Sequence, residues 1–128
     1  MNAMLDTCAV IWLLGEPGRL SARAQAAITE EDLGVPVVVL LELAYLEQGG
    51  RLSVEDAARI RDKLLSPGGP LVPVPFSLEA ALCAAKIPRA ASPDPFDRMV
   101  AGTAMAAGLP LITADAKLAK VADLAVIW

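Results

Sequence analysis

The chain contains no histidine. That absence excludes a Ser-His-Asp triad, a Cys-His pair and a histidine-ligated zinc site in this chain. Cysteine is nearly as scarce. Cys8 and Cys83 have neither the spacing of a metal site nor the number for a disulfide framework, so the expectation is a reduced, cytoplasmic protein. Apolar residues make up 55% of the chain, yet no apolar stretch approaches the length of a membrane span, and the run at 35–41 contains Pro36. The N-terminal "MNAMLDTCAV" lacks the positive region of a signal peptide and carries Asp6 inside its first apolar run. Positive charge is also in deficit: 11 Lys and Arg stand against 15 Asp and Glu, a net charge of −4. This speaks against a nonspecific nucleic-acid coat. It leaves a nuclease open, because acids gathered around metal ions enter the count without facing phosphate as bare charge.

What is present is enough for a core. A chain of 128 residues fits one domain, 1–128. Short apolar runs alternate with helical patterns, which predicts an α/β fold on a parallel sheet. Strands are expected at "NAML" (2–5), "LGVP" (33–36), "PLVPV" (70–74, proline-marked and so near an edge), "PLIT" (110–113) and "LAVIW" (124–128). Helices are expected at 7–15, at 21–29 behind Ser21, and at 37–50 up to Gly49, although the valines at its start also suit a strand. Further helices are expected at 53–65 behind a Ser-x-x-acid capping pattern, at 78–87, at 95–108 and, briefly, at 115–121. Proline at position 95 and glycine at 108 bracket the helix between them. "SPGGP" (66–70) reads as an ordinary loop.

Several acids stand in places that composition does not explain. Asp6 follows a strand and precedes an apolar helix. It is placed at the carboxyl end of a strand, where open parallel sheets bind ligands, or else it caps the helix. Glu42 lies on a helix whose three- and four-residue neighbours are Val38, Val39, Tyr45 and Leu46. A carboxylate on such a face is costly unless a cation or several donors meet it; otherwise it reaches water along the helix edge or pairs with an arginine. In "SPDPFDRMV" (92–100), capping accounts for Asp94, which precedes Pro95. It accounts only partly for Asp97 in the first turn, where the helix dipole favours an acid by roughly 0.3–1 kcal/mol. Asp115, in "TAD", again sits just past a strand and suits a helix start or a ligand.

These acids point to one rim of the sheet. Two carboxylates about 5 Å apart repel by roughly 3 kcal/mol at an effective dielectric near 20, so a cluster of them needs a compensating cation. Oxygen donors without histidine or a thiolate cluster suit Mg²⁺ or Mn²⁺ rather than zinc. Such ions are typical of phosphoryl-transfer sites.

The order "LDT", then "LLELAYL", then "DPFDRMVAGTAMAAGLPLITAD" resembles the PIN-domain ribonucleases, specifically the VapC-type toxins of toxin–antitoxin pairs. The similarity covers almost the whole chain. It implies a three-layer α/β/α sandwich with a mainly parallel central sheet and an acidic pocket at the strand ends. Carried over residue by residue, it marks Asp6, Glu42, Asp97 and Asp115 as the catalytic and metal-binding constellation, while Asp94 matches a position outside the metal-binding core. It implies RNA as substrate, Mg²⁺ or Mn²⁺ as cofactor, a homodimer, and a cognate antitoxin that covers the active groove. The chain departs from the pattern at Cys8 and in "AASP" (90–93), where histidine is frequent in the family.

On this reading Asp6 is the central ligand with Asp97 beside it, and Glu42 and Asp115 complete the site. Thr113 holds a water or a phosphate oxygen, or else simply ends its strand. Arg98 contacts the RNA backbone or pairs with a nearby acid. The alternative is a catalytically inactive α/β binding module whose acids are helix caps. A phosphate-receiver domain is disfavoured because "PLVPVPFS" offers no acceptor aspartate, and an aspartyl-nucleophile phosphatase because "DTC" lacks its second acid.

Overall fold

The shortest strands carry the architecture. β1 (Met4–Leu5) and β4 (Leu111–Ile112) are two residues each, and all four side chains are 0% exposed. Burying side chains of this size contributes about 1.5–3 kcal/mol apiece, which keeps so brief a pairing in register. In the computed structural model, residues 1–28 and 32–128 are described. Among them, five strands form one parallel sheet in the order β3-β2-β1-β4-β5, with β2 at Leu33–Pro36, β3 at Leu71–Val74 and β5 at Val126–Ile127. β3 is an edge strand with Pro73 exposed on it, as its prolines require. The chain winds from β1 through β2 to β3, then crosses to β4 on the other side of β1. The winding therefore reverses at the β1/β4 boundary.

Helices flank the sheet, as expected for an α/β/α arrangement. α1 (Thr7–Gly15) starts at Asp6, whose Oδ1 accepts from the Ala9 N–H at 2.8 Å. A short 3₁₀ turn at Pro17–Arg19 follows it. α2 (Ala22–Ala27) and α4 (Val54–Leu64) are capped by Ser21 and Ser53 through their hydroxyls. The expected last residue of the first of these, Thr29, lies outside the described residues. α3 (Val38–Gln48) begins directly after β2, so its leading valines are helical, and Gly49 ends it. α5 (Leu78–Ala85) and α6 (Pro95–Ala107) pack closely: a Cβ on Gly102 would come within 2.5 Å of the Ala80 carbonyl oxygen and 2.7 Å of the Ala84 Cβ. Gly108 closes α6 in the left-handed region at φ 65°.

One expected element is corrected. The segment 115–121 forms only a 3₁₀ turn at Leu118–Lys120. Asp115 Oδ1 accepts from the Lys117 N–H at 2.9 Å, a local side-chain turn that competes with a helix. Among the described residues, no helix is long and apolar enough to cross a membrane.

Candidate active site

The reversal of winding places the site. In an open parallel sheet, the crevice beyond the strands' carboxyl ends opens where the strand order switches. Here that point lies between β1 and β4, in the register Leu5↔Ile112. The next residue on one strand is Asp6 and on the other Thr113. The Asp6 N–H donates to the Ile112 carbonyl at 3.2 Å, so the two ends leave the sheet side by side.

Thr113 is 1% exposed and its hydroxyl has two tasks. It donates to the Asp6 carboxylate, and it accepts from the Asp115 N–H at 3.1 Å. Asp6 retains some accessible surface, yet burial desolvates its carboxyl and pushes its pKa up to about 6. The hydrogen bonds from Thr113 and Ala9 oppose that rise, while the negative charges of Glu42 and Asp115 reinforce it.

Asp97 arrives from the first turn of α6. Its pKa is pushed up to about 7, first by desolvation and then by repulsion from Asp94, Asp115, Glu42 and Asp6. Glu42 comes from α3 and is raised chiefly by desolvation; the Thr7 hydroxyl, which donates to Glu42 Oε1 at 2.5 Å, pulls the other way. Glu42 and Asp115 thus act on Asp6, and Asp115, Glu42 and Asp6 act with Asp94 on Asp97. Asp6, Glu42, Asp97 and Asp115 are each carried by a different element or strand end. Asp94 belongs to the same field but is exposed, and its Oδ1 caps α6 through the Phe96 N–H at 2.8 Å.

Capping explains part of this arrangement only. Asp6 and Asp115 each use one oxygen on a local N–H, and neither cap requires four acids in one place. The positive charge felt at this rim is that of Arg51, which opposes the rise of Glu42 without forming an ion pair among the described residues. Among the described residues the salt bridge present is Arg59–Asp56 at 3.3 Å, away on α4. Arg98 is not paired with an acid there; its Nη1 donates to the Ser92 carbonyl at 3.2 Å. That corrects the expected ion pair: the half-buried guanidinium serves the loop entering α6.

Cys8, one residue beyond Thr7, stands in the same negative field. Desolvation and the charges of Asp6, Glu42 and Asp97 push its thiol up to about 11. Without a cation nearby it is therefore chiefly a neutral thiol at physiological pH.

The donor set fits a hard divalent cation. All its atoms are oxygens, and the Asp6 and Asp97 carboxyls are raised toward neutrality by desolvation and then by neighbouring acids. Among the described residues, no three Asp, Glu or Cys side chains stand close enough together to form a ready-made ligand group. The four acids share an electrostatic field rather than a closed coordination cage.

Thr7 is the site residue that sequence reasoning missed. Its adjacency to Asp6 in "LDT" was visible, but its partner is 35 positions away.

Comparison with known proteins bears on the family and the fold. The family profile for the PIN domain matches residues 3–124. Ribonuclease VapC22 of Mycobacterium tuberculosis is 31% identical over 118 residues, covering 91% of this chain and 89% of that protein. Among solved structures, DNA-bound VapBC from Salmonella typhimurium superposes with a TM-score of 0.73 at 18% identity, covering 98% of this chain and 96% of that one. VapBC2 from Rickettsia felis, bound to a DNA fragment from the promoter, gives 0.70 at 19% identity over 98% and 97% of the two chains. VapBC-5 from Mycobacterium tuberculosis, a member of the VapBC family of toxin–antitoxin systems, gives 0.65 at 22% identity over 98% and 97%. At these identities the superpositions speak to the fold.

Proposed function

The chain belongs to the PIN-domain family, and from that premise we propose that it is a Mg²⁺- or Mn²⁺-dependent ribonuclease, the toxin of a toxin–antitoxin pair, acting in the cytoplasm. The observation that carries the reading is the pair Asp6 and Asp97. Both are raised toward neutrality first by desolvation and then by neighbouring negative charge, Glu42 and Asp115 acting on Asp6, and Asp94, Asp115, Glu42 and Asp6 acting on Asp97. Ribonuclease VapC22 supplies the substrate class by likeness.

Asp6 and Asp97 are the direct ligands in this reading, and Glu42 and Asp115 complete the site directly or through waters. Mg²⁺ characteristically takes one or two carboxylates and keeps several waters, which suits acids that share a field without closing a cage. When bound, the cation supplies Lewis acidity toward the phosphate and an activated water. The chain's own work is positional. Thr113 orients the Asp6 carboxylate and, through the Asp115 N–H, fixes the turn after β4. Asp94 holds the first turn of α6 and hence the placement of Asp97. Arg98, tied to the Ser92 carbonyl, presents its positive charge to the RNA backbone at the lip of the site.

Two partners belong to the same reading: a second copy of the chain, and a cognate antitoxin that covers the active groove; a structural relative belongs to the VapBC family of toxin–antitoxin systems. Sedimentation of the isolated chain tests the first; a monomer at high concentration counts against it.

One observation favours the competing reading of an inactive module: Asp6 and Asp94 each accept a capping hydrogen bond, and Asp115 accepts one within a local turn. Mapping of cleavage sites on total cellular RNA, with and without Mg²⁺, decides between them. A ribonuclease yields discrete Mg²⁺-dependent ends; a module built on caps leaves the RNA intact in both conditions.

A further inference from the structure

We propose that Thr7 is a positioning residue whose hydroxyl holds the Glu42 carboxylate at the mouth of the site beside Asp6. The inference rests on the reading of Asp6, Glu42, Asp97 and Asp115 as one functional cluster.

The position of Thr7 in its helix frees its hydroxyl for this task. Inside a helix, a threonine Oγ1 commonly bonds the carbonyl one turn back. Thr7 is the first residue of α1, and four positions earlier the chain is at Ala3, before the helix begins. With no helical carbonyl behind it, Oγ1 reaches across to α3 and donates to Glu42 Oε1 at 2.5 Å. Thr7 is 5% exposed, so its hydroxyl is committed to the protein rather than to water.

Glu42 needs such a donor. Its helix neighbours Val38, Val39, Tyr45 and Leu46 are apolar, and its three side-chain torsions would otherwise carry the carboxylate out to solvent. Among the described residues, the hydrogen bond found on this carboxylate is the one from Thr7. A bond to an ionised acceptor is short and strong for its kind. It also sets a relationship between two acids. Asp6 is fixed by its cap to Ala9 and by its N–H on Ile112. Thr7 follows it directly in the chain, so whatever Thr7 grips is placed relative to Asp6. Thr7 thereby links α3, and with it the acid 36 positions away from Asp6 in the numbering of the chain, to the β1 end.

A threonine that merely fastened α1 to α3 would affect stability and little else. Thr7→Val keeps the shape and removes the donor; Thr7→Ser keeps the donor. The full-length chain is measured in three ways: Mn²⁺ affinity by electron paramagnetic resonance, the Glu42 ¹³Cδ resonance in glutamate-labelled protein without metal, and thermal unfolding. Thr7→Val is expected to weaken Mn²⁺ by about 10–100-fold, and Thr7→Ser to recover the wild-type affinity to within about threefold. The double variant Thr7→Val/Glu42→Gln is expected to bind no more weakly than Glu42→Gln alone, because both changes remove one linkage. The Glu42 resonance moves in Thr7→Val and returns in Thr7→Ser. Should Thr7→Val fail to fold, Thr7→Ala removes the same donor with less bulk. Wild-type affinity in the valine variant, multiplicative losses in the double variant, or no rescue by serine overturns the proposal. If the wild type binds no Mn²⁺, the metal reading fails and the Glu42 resonance alone decides: unmoved in Thr7→Val, it overturns the positioning role; moved and restored by serine, it upholds it.

Discussion

The Asp6 N–H and the Ile112 carbonyl, 3.2 Å apart, tie the ends of β1 and β4 together at the point where the sheet reverses its winding. This backbone bond brings Asp6 and Thr113 to the same mouth, and side chains from α3 and α6 complete the acidic rim. The proposed site thus follows from strand order, and its proposed chemistry from carboxylates that are desolvated and repelled by neighbouring acids.

Replacing Asp6 with asparagine separates capping from charge. Asparagine caps a helix as well as aspartate does, so α1 should stay in place. The expected outcome is loss of Mg²⁺-dependent RNA cleavage by at least about 100-fold, with a metal-free melting temperature equal to or above that of the wild type because a repelled charge is gone. Full retained activity would reject Asp6 as a ligand.

Asp94 and Asp97 should behave in opposite ways. Asp94→Ala removes the cap on Phe96 N–H and is expected to cost about 0.5–2 kcal/mol of stability, with cleavage still dependent on Mg²⁺. Asp97→Asn should abolish cleavage without loss of metal-free stability. Denaturant melts and cleavage assays on both variants check this crossed pattern.

Stability without metal should fall as the pH rises, the reverse of the usual carboxylate case. A carboxyl whose folded pKa lies above its unfolded value holds its proton more tightly in the folded chain. Asp6 and Asp97 rise from 3.8 to about 6 and about 7. Their contribution is therefore fully present below about pH 4 and is lost as the pH climbs through those two values. Thermal melts from pH 4 to pH 8 in chelator should show a steeper decline for the wild type than for the Asp6→Asn/Asp97→Asn double variant. Excess Mg²⁺ should flatten the wild-type curve at the upper end, since the cation binds the deprotonated site.

Gly102→Ala tests whether the packing of α5 on α6 matters to the site. Its Cβ would meet the Ala80 carbonyl oxygen and the Ala84 Cβ at 2.5 and 2.7 Å, so the helices must part. Overpacking of this kind costs about 1–3 kcal/mol. Because α6 carries Asp97, cleavage should fall as well, which melting and activity measurements on the same preparation resolve.

Much of this was legible in the sequence, for local reasons. Asp94, Pro95 and Gly108 bracket α6 because a capping side chain, a pre-set φ and a left-handed closing residue each act within a turn. Glu42 stood out because an acid on an apolar helix face is anomalous wherever the helix packs. The errors lie where local rules meet tertiary structure. The stretch after Asp115 has helical composition, but the Lys117 N–H is taken by the Asp115 side chain, and only a 3₁₀ turn remains. Arg98 lies one residue from Asp97, yet the loop carbonyl of Ser92 claims it. Thr7 could not be assigned at all, because its hydroxyl's partner depends on how α3 lies against α1.

The central claim is that a divalent cation belongs in the field proposed to be shared by Asp6, Glu42, Asp97 and Asp115. Calorimetric titration with Mn²⁺ near pH 6.5, repeated in buffers of different ionisation enthalpy, tests it most directly. With Asp6 near 6 and Asp97 near 7, binding should expel about one proton, and Asp6→Asn should lose both the binding and the release. Absence of binding, binding without proton release, or wild-type binding by Asp6→Asn would contradict the account.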